Sequence, residues 1–85
     1  HNVVALPEGK ATVRADAVTL GEGGIPATVT AVEYQGASVA VTATTSGGDE
    51  ILALLPEEQF FQSPKSPGEA VSLCWDDGRL HRLQA

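Results

Sequence analysis

Cys74 is the only cysteine in the 85 residues, so no internal disulfide forms and a fold this small has no covalent staple to support a modest core. That usage fits a reducing compartment, or a piece of a larger protein whose other parts share the stabilising work. No apolar run approaches the roughly 18–20 residues that a membrane span needs. Val3–Leu6 is too short for the centre of a signal peptide and no basic stretch precedes it. The default context is therefore a soluble, cytoplasmic one. Basic residues are scarcer still. No Lys or Arg lies between Arg14 and Lys65, whereas Asp16, Glu22, Glu33, Asp49, Glu50, Glu57 and Glu58 do, and the net charge is −6. Such a surface repels a phosphate backbone, which excludes nucleic acid as the expected partner. It suits cations, although solubility alone accounts for acidity of this kind.

Aromatic residues are limited to Tyr34, Phe60, Phe61 and Trp75. A single-strand binder needs stacking aromatics interleaved with a basic groove, and the central segments supply neither; Trp75 reads as core. Catalytic signatures are missing too. Gly21, Gly23 and Gly24 do not complete a GxGxxG fingerprint, and neither GxxxxGK[ST] nor GxSxG occurs. Metal ligation would have to come from Cys74, His81 and His1, which lack paired-ligand spacing. Cys74 reads as a strand residue and His81 as a surface or edge-strand one. The acidic pairs Asp49-Glu50, Glu57-Glu58 and Asp76-Asp77 fall in turns or loops. Adjacent strand residues point to opposite faces, so adjacency alone builds no carboxylate dyad. The chain is expected to be no enzyme and to hold no cofactor or metal.

What the chain does have is strand periodicity. Val39, Val41 and Ala43 alternate with Ala40, Thr42 and Thr44, and Val71, Leu73 and Trp75 with Ser72 and Cys74. In Ala27–Tyr34 the phase changes, since Val29 and Ala31 face one way and Val32 and Tyr34 the other. A bulge or burial on both faces would produce that change. Ile51–Leu55 is continuously apolar, as in a strand buried on both sides or packed at a subunit contact. Ala17–Leu20 is a further short strand candidate and Val3–Leu6 a weaker one. Turn signals separate the runs: Gly21–Gly24 before Ile25-Pro26, Gly36, a hairpin loop at Ser46–Asp49, and an Asp76-Asp77-Gly78 hairpin.

Pro56–Ser66 breaks the strand pattern. A short helix near 56–62 is expected, with proline and acids favouring its first turn. Phe60 and Phe61 then either plug one end of a barrel or form an exposed partner-binding loop. The fold class expected is all-β, a small OB-like barrel of five to six short strands. Residues 1–11 read as an appended or linking segment with a weak first strand, His1-Asn2 as a tag remnant, and 12–85 as the domain. Candidate partner contacts are Ile51, Leu52, Leu54, Phe60 and Phe61. Candidate ligand hydroxyls are Ser38, Thr42 and Thr44.

Taken in order, several segments resemble one known family. Val13-Arg14-Ala15-Asp16, with Ala15 and Asp16 in place of the usual proline and glutamate, leads into Val18-Thr19-Leu20. Ile25–Val29 then leads to Val32-Glu33-Tyr34-Gln35-Gly36. Gly47-Gly48 precedes an apolar strand ending at Pro56. Pro67-Gly68-Glu69-Ala70-Val71-Ser72-Leu73-Cys74-Trp75 is followed by Leu80-His81-Arg82-Leu83. Over roughly residues 12–84 this resembles the TOBE (transport-associated OB) domain at the C-terminal end of ATP-binding subunits of ABC importers.

The resemblance implies an accessory domain, regulatory and dimer-supporting, of an importer of the polyamine or ferric-iron type. ATP and Mg would belong to an ATPase domain of the same chain. The implied partners are that domain, a second copy of the subunit in a homodimer, and the transporter's membrane subunits. Its place would be cytoplasmic, peripheral to the inner membrane. The alternative is a small-ligand sensor related to oxyanion-binding barrels; an acidic middle opposes an oxyanion there and suits a polyamine.

Overall fold

A computed structural model describes residues 2–6, 9–76, 78 and 80–82. The readings made for His1, Asp77 and Leu83 lie outside them. The chain runs β1 (Asn2–Leu6), β2 (Gly9–Val13), a 3-10 turn (Ala15–Ala17), β3 (Thr19–Tyr34), β4 (Ser38–Thr45), β5 (Glu50–Pro56), α1 (Glu57–Gln62), β6 (Ala70–Cys74) and β7 (Leu80–Arg82). The strands form a three-stranded sheet, β1-β2-β7, and a four-stranded curled sheet, β5-β4-β3-β6, every pairing antiparallel. This is the expected all-β, OB-like architecture with one short helix, built from seven strands among the described residues.

Both sheets share one core. Ala11 and Val13 of β2 pack with Val29 of β3, Val39, Val41 and Ala43 of β4, Ile51, Ala53 and Leu55 of β5, Leu73 of β6 and Phe60 of α1. Inward alanines keep facing backbones close where a curled sheet has little room, and one large ring fills what remains. The alternation read from β4 holds for Val39, Val41 and Ala43, which are buried in the core, and for Thr42 and Thr44, half-buried on the other face; Ala40, read as part of that other face, is buried as well.

β3 is where sequence and structure part. The phase change foreseen in Ala27–Tyr34 is a register break between Val29 and Ala31, so a bulge is the explanation. Gly21–Gly24, expected as a turn between two strands, instead lies within β3. Leu20 and Ile25 both register with Leu73 of β6, and the residues between them bow out without ending the strand. Two properties of glycine permit this. Gly23 takes φ +80°, and a Cβ on Gly24 would fall 2.2 Å from the Leu73 carbonyl oxygen. Pro26 is tolerated mid-strand because pairing with β4 begins only at Ala27, so its missing N–H breaks no ladder bond there.

The connections differ likewise. The Ser46–Asp49 hairpin is as expected: Gly48 has φ +91°, its N–H donates to the Thr45 carbonyl at 2.9 Å, and Thr45 N–H donates to Asp49 O at 2.8 Å. Gly36, at φ +77°, turns β3 into β4. A hairpin at Asp76–Gly78 would pair β6 with β7, and among the described residues these two strands are not partners. β7 leaves β6 and pairs with β2, Val13 opposite Leu80, which brings Leu80 against the core. The segment thus joins the two sheets.

Asn2 gives the other departure from expectation. Far from a loose remnant, it opens β1 and is buried. Its side-chain Nδ2 donates to the Leu52 carbonyl at 2.7 Å and its Oδ1 accepts from Leu52 N–H at 2.8 Å. Leu52 stands opposite Thr42 with both backbone groups turned away from β4, so the amide acts as a one-residue strand on the outer edge of β5.

Candidate functional site

The outer face of β4–β5 assembles itself from the two-residue strand period. Cross-strand pairs Ser38–Pro56, Ala40–Leu54, Thr42–Leu52 and Thr44–Glu50 share that face. All three candidate hydroxyls therefore stand beside carbon or carboxylate: Ser38 opposite Pro56, Thr42 opposite Leu52 and Thr44 opposite Glu50. Thr30 Oγ1 reaches this face too and donates to the Thr42 carbonyl at 3.3 Å. The three hydroxyls are half-buried in a row on one strand, with no basic side chain among their register partners.

The candidate contact residues divide in two. Ile51 and Phe60 are spent in the core, each 1% exposed, and are out of reach of any partner. Leu52 and Phe61 are exposed and Leu54 is half-buried. Ile51–Leu55 is thus an ordinary one-sided strand, with Ile51, Ala53 and Leu55 inward and Leu52 and Leu54 outward. Its unbroken apolar run conceals a period of two, because the outward positions are leucines.

The two phenylalanines also have opposite roles. Phe60 is the plug; Phe61 lies outside, near-parallel to Tyr34 at 5.9 Å and 13° between ring planes. Each outer ring meets Phe60 edge-on, at 5.8 Å for Tyr34 and 5.7 Å for Phe61. In a helix adjacent residues point about 100° apart, so one faces the barrel while the next faces solvent.

An open groove of about 720 Å³ lies between α1, the glycine bow of β3, and β6. Leu20, Leu55, Phe60 and Val71 supply its apolar wall, and Glu22, Gln59, Ser63, Lys65 and Ser72 its polar ones. Ser38, Thr42 and Thr44 do not line it. Lys65 lies 4.0 Å from Glu69, so the groove's cation already has a carboxylate beside it. Nothing in the sequence announced this groove, because it depends on β3 continuing through residues 21–24.

The remaining chemistry is sparse. Among the described residues no group of three or more His, Cys, Asp or Glu is placed to hold a metal ion. Cys74 is a free, half-buried thiol whose Sγ sits 3.9 Å from the Glu22 carbonyl. His81 is exposed on β7, which among the described residues pairs with β2 alone. Arg14 makes a two-pronged contact with Asp16, Nε to Oδ1 and Nη2 to Oδ2, both 3.2 Å. The backbone there closes a 3-10 turn, Ala17 N–H to Arg14 O at 3.0 Å, without the proline its family resemblance would supply. Among the described residues no helix is long and apolar enough to cross a membrane.

Comparison with known proteins agrees with this architecture. No curated protein matches the chain. Among solved structures, a molybdate-bound form of the cytoplasmic molybdate-binding protein ModG superimposes with a TM-score of 0.75 at 23% identity. The match covers 84% of this chain and 57% of that one, so this chain spans little more than half of ModG's length. At that identity the likeness establishes the fold. The TOBE domain family profile matches residues 11–83, from within β2 through β7 and so most of the chain without β1; the chain belongs to the TOBE domain family.

Proposed function

We propose that this chain is the accessory, dimer-supporting domain of the ATP-binding subunit of an ABC importer, cytoplasmic and held at the membrane through its parent complex. The observation that carries the reading is the family match across residues 11–83. Its surface is consistent with that role. Of the candidate contact residues, Leu52, Leu54 and Phe61 remain free to meet a partner, outside a core that is already complete without them. In this reading ATP and Mg are bound by the ATPase domain of the parent, and this domain contributes contact. A polyamine or ferric-iron importer is the parent that the Val32–Gly36 segment suggests.

Deleting residues 11–83 from the parent subunit tests it. Nucleotide binding should survive while sedimentation equilibrium shows a weakened dimer; a dimer of unchanged strength would contradict the role.

A second reading, a small-ligand sensor, is favoured by one finding: the ModG structure, of like fold, has molybdate bound. Charge weighs against an oxyanion here, since the middle strands carry carboxylates and no Lys or Arg. Calorimetry against molybdate, sulfate and spermidine separates the two. Heat from any of them supports a sensor, and silence from all three sinks it for this domain.

A further inference from the structure

We propose that the exposed Tyr34–Phe61 ring pair, with the carboxylates of the first turn of α1 beside it, docks an arginine-bearing segment of a partner protein. The inference does not depend on the parent being a transporter.

Tyr34 is 61% and Phe61 52% exposed, and they are two of the four large hydrophobic side chains that the described residues leave open to solvent. They are neighbours, and they are not loose. Both rest edge-on against Phe60, which is itself buried in the core, so the pair is held in place before anything binds. A partner would therefore lose little affinity to ordering these rings.

Charge selects the occupant. Glu57 and Glu58 are exposed and stand four and three residues before Phe61, the spacings that make helix positions neighbours. Glu33, next to Tyr34 on β3, stands opposite Ala40 on the other face of the sheet and is not part of the patch. No Lys or Arg occurs between Arg14 and Lys65, and Lys65 is placed toward Glu69. The patch thus combines the negative faces of two rings with carboxylates. A cation is the complement of both.

Shape selects among cations. An ammonium group is bound best by a cage of rings closing around it, whereas the stacked, exposed Tyr34 and Phe61 offer a flat ring face on which the stack can be extended. A guanidinium is planar, stacks on aromatic faces, sheds water more readily than an ammonium, and can pair a carboxylate with its remaining N–H groups. The net charge of −6 further speeds encounter with a basic partner.

The test is an NMR titration of the full chain with capped Gly-Arg-Gly-Arg-Gly, its Lys and Glu counterparts, and spermidine. The Arg peptide should move the ring-proton resonances of Tyr34 and Phe61 and do so less as salt is raised. Replacing either ring, Tyr34→Ala or Phe61→Ala, should weaken its affinity about two- to fivefold, with circular dichroism unchanged. Glu57→Gln with Glu58→Gln should weaken it as well, and the Lys peptide should bind less tightly than the Arg peptide. Unchanged affinity when Tyr34→Ala and Phe61→Ala are combined, or equal binding of the Glu peptide, would overturn the proposal. Equal binding of spermidine or the Lys peptide would also overturn it, by showing an ammonium site.

Discussion

The curled sheet is closed at two places by opposite means. At the α1 end a hydrocarbon ring, Phe60, fills the opening and makes no directional bond. At the outer edge of β5 a polar group, the Asn2 amide, completes a ladder with both a donor and an acceptor. A plug depends on volume, and neighbouring side chains can shift to take up part of a loss. An amide clamp depends on two bonds whose partners are backbone atoms of Leu52, which cannot be relocated without moving β5. The first seal resists change of shape and the second resists change of chemistry.

Substitutions separate the two. Phe60→Ala should have the largest effect, about 3–5 kcal/mol of unfolding free energy by urea titration, because a fully buried ring leaves both a cavity and two outer rings without support. Gly24→Ala should follow at about 3 kcal/mol, since the new methyl would overlap backbone of Leu73 that has no rotamer to yield. Asn2→Ala should cost about 2 kcal/mol by leaving the Leu52 N–H and C=O without their partner. Asn2→Asp sharpens the point: it keeps the acceptor, sets a carboxylate against the Leu52 carbonyl, and should be no better than alanine. Phe61→Ala should be nearly silent, within about 0.5 kcal/mol, as for surface positions generally. A Phe61→Ala as costly as Phe60→Ala would erase the distinction between plug and outer ring.

The same contrast marks what the sequence discloses. Seals made of hydrophobic pattern are legible. The β4 alternation, the phase change at the β3 bulge, the Ser46–Asp49 hairpin and the 56–62 helix all follow from periodicity and turn chemistry. Seals made by a single long-range contact are not. Nothing local to Asn2 signals that it will meet Leu52, fifty positions away. Glycines mark Gly21–Gly24 as irregular but do not say whether the chain turns or bows. That depends on β6, which arrives some fifty residues later and pairs on both sides of the bow. Asp76–Gly78 has hairpin chemistry, yet β7 is drawn to β2 because Leu80 finds the core there.

For the candidate site, the residue types were legible and the sorting was not. Five apolar residues, Ile51, Leu52, Leu54, Phe60 and Phe61, are alike in chemistry. Only the direction of each side chain tells which build the core and which face outward.

In the proposed role this domain supplies contact to a protein whose chemistry resides elsewhere. Sequencing the reading frame that precedes His1 tests it most directly. The expected result is a GxxxxGK[ST] phosphate-binding loop and an ABC signature upstream, in one polypeptide with residues 11–83. A reading frame with neither motif would contradict it.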